Sequence, residues 1–299
     1  MKKVIGIDLG GTKIYGGVID ENGKILKIAK RDSKAQEGRA VVLNGIYEVI
    51  EELMEGEQVY AIGLGSPGAI DVKEGKVLYI GGNIKDWPYT NIREELSKKF
   101  NDIPIFVEND ANVAAICEEW VGAAKELDSF VMLTLGTGVG GGIYSKKSGM
   151  WYGKNYQGAE LGHVILYPNG RVCNCGQKGC VEQYVSGNGI EKTYYEITGD
   201  MMKGKDIFKN IQEDENAKKA VEKYIEDLGM YLINIKNIFD PEGIVIGGGV
   251  INSMKYWWDK VIKYYEENCN NAGEIKIIPA EYLNDSGMIG AAKVAFDNL

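Results

Sequence analysis

Apolar positions along the 299-residue chain gather into short runs that break on glycine, and three of those runs share one design. Val4-Ile5-Gly6-Ile7-Asp8-Leu9 leads into Gly10-Gly11-Thr12-Lys13. Val131-Met132-Leu133-Thr134-Leu135 leads into Gly136-Thr137-Gly138, and Ile244-Val245-Ile246 into Gly247-Gly248-Gly249. After the first two turns the pattern stays strand-like, in residues 14–20 and 142–144, so both read as hairpins. Asn22-Gly23 turns the first hairpin again, toward Ile25-Leu26-Lys27-Ile28, and makes it a meander. Strand, glycine turn, strand differs from the strand, glycine loop, helix of dinucleotide and P-loop sites. The glycines at 138–142 therefore stand in the wrong context for a dinucleotide fingerprint.

Helical spacing follows. Val41, Val42, Ile46, Val49, Ile50 and Leu53 lie on one face of a helix expected over residues 40–55. A strand at 60–65 ends in Ser66-Pro67-Gly68, and a helix is expected near 92–100. The strand Ile105-Phe106-Val107 ends in Glu108-Asn109-Asp110, and a helix is expected over 111–123. The plan then repeats: a meander from Ser129, a cysteine-rich insertion, helices between 187 and 239, a strand at 244–247, a helix from Ser253, a strand at 275–278 and a last helix at 287–298. Two βββαβα-like halves predict a duplicated α/β fold, two lobes with a cleft between them. The expected smaller lobe is 1–115 with 287–299, and the larger is 116–286 with the insertion.

Composition narrows the function. With 44% hydrophobic and 26% charged residues the chain reads as an ordinary globular protein, long enough to bury a sizeable core. A formal charge of −9 without any Lys/Arg-rich block argues against nucleic-acid or anionic-membrane partners. Residues 2–8 open directly as a strand rather than a signal peptide, and no apolar run reaches the length of a membrane span. An odd total of five cysteines fits a reducing cytoplasm.

The densest chemistry lies between 158 and 182. His163, the only histidine, is followed by Cys173, Cys175 and Cys180. Three thiols and one imidazole form the set that Zn²⁺ takes as a closed tetrahedron, which leaves no position for water and makes the metal structural. The alternative is a small-residue loop whose cysteines are buried hydrophobes or form a stray disulfide. The glycine turns offer backbone N–H nests for phosphate oxygens, with Asp8 placed to hold Mg²⁺ or its water, followed by Gly10, Gly11, Thr12 and Lys13. Asp110, at the carboxyl end of a buried strand, is the candidate catalytic base, or else the cap of the helix behind it.

Four segments carry a family resemblance: Asp8-Leu9-Gly10-Gly11-Thr12-Lys13, Val107-Glu108-Asn109-Asp110-Ala111-Asn112, Leu135-Gly136-Thr137-Gly138-Val139-Gly140-Gly141-Gly142, and 160–182 with its Cys173-Asn174-Cys175-Gly176 core. In order and over the whole chain they resemble the ROK family of sugar kinases and sugar-sensing repressors. That resemblance implies the ribonuclease H-like, actin-like ATPase fold and transfer of the ATP γ-phosphoryl group to a hexose. Asp110 would be the base; Gly68, Asn83, Asn109, Glu160, His163 and Glu182 would bind the sugar. Gly10, Thr12 and Lys13 would form the first phosphate loop, Thr137 and Gly138 the second, and Gly247, Gly248 and Gly249 the adenosine segment. ATP, Mg²⁺ and structural Zn²⁺ are the implied cofactors, and a homodimer or homotetramer the implied assembly.

The cysteine spacing with Glu160-Leu161-Gly162-His163 is similar to the glucokinase-type branch, so glucose is the expected acceptor. N-acetylmannosamine, N-acetylglucosamine, fructose or a broad hexose range are the alternatives. A repressor of the family would carry a helix-turn-helix ahead of the first strand, which this sequence lacks. An actin-like or chaperone ATPase would have no use for Glu160, His163, Glu182 and the cysteines.

Overall fold

The computed structural model describes residues 2–79, 84–271, 273 and 275–299. The chain folds into two compact units, Met1–Glu126 with Met150–Gly158 and Asn284–Leu299, and Leu127–Gly149 with Ala159–Leu283. The expected boundary at 115 falls inside a continuous helix, and the units are nearly equal rather than a smaller and a larger lobe. Packing is the reason: that helix packs closely against the C-terminal helix, which belongs to the first unit.

In the first unit β1 (Lys3–Leu9), β2 (Lys13–Asp20) and β3 (Ile25–Asp32) form the expected antiparallel meander. Helix α1 (Arg39–Met54) buries Val42, Ile46, Val49, Ile50 and Leu53, the face that its spacing predicts. β4 (Ile62–Ser66) pairs parallel with β1. A small hairpin of β5 (Ala69–Asp71) and β6 (Lys76–Tyr79) follows, then α2 (Ile92–Ser97), β7 (Ile105–Asn109) and α3 (Asp110–Trp120). The sheet order is β3-β2-β1-β4-β7. The C-terminal helix, Ser286–Asp297, crosses this sheet on glycines. A Cβ on Gly63 would lie 1.8 Å from the Ala291 carbonyl oxygen, and one on Gly290 1.7 Å from that of Val113. Such separations admit only glycine, so the helix touches β4 and α3 backbone to backbone.

The second unit repeats the sheet. β8 (Ser129–Leu135) and β9 (Val139–Ser145) make a hairpin with a two-residue edge strand β10 (Gly149–Met150). After the cysteine loop come α4 (Glu182–Val185), α5 (Gly187–Thr198), α6 (Gly204–Lys209) and α7 (Glu215–Phe239), which Asp214 caps through Asn216 N–H. β11 (Gly243–Gly247), α8 (Trp258–Asn268) and β12 (Lys276–Pro279) complete the order β10-β9-β8-β11-β12, the same as in the first unit. The helix expected from Ser253 is instead a 3₁₀ helix, Gly249–Tyr256, broken at Trp257 before α8. Trp257 is 1% exposed and packs edge-on against Tyr224, so burial of the indole overrides helix continuity. Among the described residues no helix is long and apolar enough to cross a membrane.

Candidate active site and metal centre

Parallel pairing brings the ends of β1, β4 and β7 abreast: Asp8 pairs with Gly65, Gly65 with Glu108, and Ser66 with Asn109. At this edge of an open sheet, strand carboxyl ends present side chains to ligands. Asp8 lies against the first turn of the C-terminal helix, where a Cβ on Gly287 would stand 2.4 Å from its carboxyl carbon. Burial, and then the charge of Asp110, push the Asp8 pKa up to about 7. Asp110 is likewise raised by burial, against the pull of nearby N–H donors. Two carboxylates that resist ionising together are poised to share a cation or a proton.

Asn109, not Asp110, caps α3. Its Oδ1 accepts from Ala111 N–H at 2.9 Å and Asn112 N–H at 3.1 Å, while its Nδ2 donates to the Gly68 carbonyl at 3.0 Å. Two residues expected to meet sugar are thus joined directly. Asp110 adds one bond from Ala111 N–H, and with the cap filled its carboxylate is not required for the helix to start. Asn83, another expected sugar ligand, lies outside the described residues. Ser66 ends β4, and its hydroxyl accepts from Nε1 of the fully buried Trp87 at 3.0 Å.

The glycine turns carry a distinctive signature. Gly11 and Gly136, one in each hairpin turn, and Gly249 after β11 have no atom within 4 Å of an added Cβ, and none adopts a positive φ. Neither packing nor backbone conformation demands glycine there. What an absent Cβ still permits is close approach of a ligand to the backbone N–H groups. The neighbours divide differently. Gly10 N–H closes the first turn on the Lys13 carbonyl at 2.8 Å, with Thr12 and Lys13 exposed. Gly136 N–H closes the second on Gly138 at 2.9 Å, with Thr137 exposed. Gly248, at φ 84°, is packed against Leu135, and Gly247 is buried at the end of β11 beside Thr134.

In the second unit the donor atoms of His163, Cys173, Cys175 and Cys180 all lie within 4.8 Å of one another. Cys175 Sγ and Cys180 Sγ are 3.6 Å apart, and Cys173 Sγ is 3.7 Å from His163 Nδ1. A tetrahedral ion with metal–sulfur bonds of about 2.3 Å and metal–nitrogen bonds of about 2.0–2.1 Å gives edges of roughly 3.8 and 3.5 Å. The four residues fit a metal, with Nδ1 as the imidazole ligand and Nε2 left for another partner. Gln183, 4% exposed, donates Nε2 to Cys173 Sγ at 3.3 Å, a bond that orients the sulfur toward the cluster. Arg171 fastens the loop to α5, donating to the Gln183 and Gly189 carbonyls, Thr193 and Glu196. Neither role has a spacing signal in the sequence, because both partners are set by tertiary packing.

Glu160, exposed, and Glu182, half-buried, flank the metal loop. The 3₁₀ turn Leu161–His163 between them is held by the Tyr231 hydroxyl, which donates to the Leu161 carbonyl at 2.7 Å. Glu182 Oε2 accepts from Val139 N–H, at the foot of the second glycine turn.

Two α/β units with the same strand order, each with a glycine turn after its first strand, define the duplicated fold of the actin-like ATPases. The ROK family matches residues 4–298, and the chain belongs to that family. Glucokinase from Thermotoga maritima is 34% identical over an alignment of 311 residues that covers 98% of this chain and 96% of that protein. The ROK hexokinase of Thermus thermophilus superposes with a TM-score of 0.88 at 32% identity, covering 99% of this chain and 98% of its own. A ROK family glucokinase from Streptomyces griseus, in complex with glucose and AMPPNP, gives a TM-score of 0.86 at 29% identity and 99% coverage of both chains.

Proposed function

We propose that the protein is an ATP-dependent hexose kinase that converts ATP and D-glucose to ADP and glucose 6-phosphate. The observation that carries this reading is Asp110, freed from capping by Asn109 and electrostatically coupled to Asp8 at the strand ends. Asp110 takes the proton of the 6-hydroxyl as that oxygen attacks the γ-phosphorus, and the bond from phosphorus to the β-phosphate oxygen breaks to release ADP. Phosphoryl transfer of this kind needs alignment and charge neutralisation more than covalent catalysis. Mg²⁺, held through Asp8 or its water, supplies the neutralisation when bound.

The residues assigned to the sugar are Gly68 through its backbone, Asn83, Asn109, Glu160, His163 and Glu182. Those assigned to the phosphates are Gly10, Gly11, Thr12 and Lys13, and those assigned to the nucleotide are Thr137, Gly138, Gly247, Gly248 and Gly249. A hexose offers many hydroxyls and little charge, so a set of carboxylate and amide acceptors suits it. Zn²⁺ is the metal that best fits three thiolates and an imidazole, and its role is to fix the His163 ring with Nε2 toward a hydroxyl. Five free cysteines are consistent with a reducing cytoplasm. A homodimer or homotetramer is the assembly we expect.

A panel of hexoses and N-acetylhexosamines, assayed for ADP release with Mg²⁺-ATP, tests the reading. Glucose-stimulated ADP release with 6-phosphate formation is the expected result. Turnover indifferent to every sugar would refute it.

A further inference from the structure

The head of α3 carries a buried carboxylate for which the proposed chemistry has no use. Glu108 is 2% exposed. Its Oε1 accepts from the Asn109 N–H at 2.8 Å and from Asn112 Nδ2 at 2.9 Å, and its Oε2 accepts from the Tyr152 hydroxyl at 2.7 Å. Three donors converging on two oxygens suit the ionised form, although burial raises the pKa. Keeping a carboxylate out of water is costly, so an apolar side chain would fill this site more cheaply if packing were its only task. Glu108 instead grips Asn109, whose side chain caps α3 and reaches Gly68.

Tyr152 arrives from far along the sequence. It lies in Met150–Gly158, a segment that belongs to the first unit although the chain before and after it belongs to the second. Two residues beyond that segment comes Glu160. We propose that Glu108 and Tyr152 are a positioning pair for sugar recognition: the carboxylate sets the Asn109–Asp110 junction, and the tyrosine tethers to it the strap that leads into Glu160. This inference rests on the hexose kinase reading. Glu108 adjoins Asn109 in the chain and binds its N–H, and neither member of the pair bonds to a glycine turn, so its loss acts on glucose and spares ATP.

Steady-state kinetics and melting of Tyr152→Phe, Glu108→Gln and the double variant, in the full chain, test it. Tyr152→Phe leaves one buried oxygen unpaired; the KM for glucose is expected to rise about tenfold, with the KM for ATP within about twofold. Glu108→Gln keeps an acceptor for Asn109 and Asn112 and turns its amide toward the tyrosine oxygen, so its glucose KM stays within about threefold of wild type. The double variant loses that rescue and behaves no better than Tyr152→Phe. An unchanged glucose KM in Tyr152→Phe beside active wild type, or equal rises for glucose and ATP, overturns the pair and leaves the kinase reading standing. Wild type without glucose-stimulated ADP release overturns both.

Discussion

The Val139 N–H donates to Glu182 Oε2 at 3.0 Å, which ties the second glycine turn to the residue that ends the metal loop. The fit is close: a Cβ on Gly138 would stand 2.3 Å from the same oxygen. A carboxylate expected only to hold sugar therefore also shapes the second glycine turn. Glu182→Ala is expected to raise the KM for glucose and for ATP together, by about tenfold each, since a backbone donor loses its partner. Glu160→Ala should raise only the glucose value. Steady-state titration of each substrate at saturating levels of the other separates the two.

Asp110→Asn should lower kcat by at least about 10²-fold while the melting temperature stays close to wild type, because Asn109 keeps the cap. As a base, Asp110 works only when ionised, so kcat/KM is full above its pKa and is lost as pH falls through it. Burial raises that pKa above 3.8, so the acid limb should lie above an ordinary aspartate's. A pH–rate profile of kcat/KM with an acid limb at or below the ordinary value would contradict the assignment.

Glycine substitutions distinguish binding from packing. Gly11→Ala meets no atom within 4 Å, so stability should change by no more than about 0.5 kcal/mol while the KM for ATP rises. Gly290→Ala would thrust a methyl onto the Val113 carbonyl and should cost about 3 kcal/mol, as overpacked cores do. Thermal melts paired with ATP titrations read both.

Metal removal should act on structure first. Three thiols and an imidazole within 4.8 Å lose the ion that holds them. With metal at 100 times Kd the loss is about 2.7 kcal/mol, a fall in Tm of roughly 4 °C for a chain of this length. Native mass spectrometry should find one zinc per chain, and chelation should raise the KM for glucose through His163. Unaltered melting and glucose binding after complete zinc removal would argue against the scaffold role.

Some of the site was legible because it is local. The cysteines, the lone histidine and the glycine turns fall within short stretches, and the donor atoms of the three cysteines and the one histidine do meet. The division of labour between Asn109 and Asp110 was not legible, since both residue types cap helices equally well. It was decided by the Gly68 carbonyl, forty-one residues away in sequence. The β5–β6 hairpin and the break at Trp257 were likewise missed: the first is short, and the second answers to burial in the core rather than to periodicity.

By itself the sequence determined the alternation of strands, glycine turns and helices in two repeats, and the set of three cysteines and one histidine that could hold a metal, because hydrophobic period and residue chemistry act over a few neighbours. Only the tertiary structure decided which carboxylates are buried, which caps are filled, and that Glu108 meets Tyr152 and Glu182 meets Val139. Those outcomes depend on desolvation and on hydrogen bonds between residues far apart in the chain, and nothing in local order encodes them.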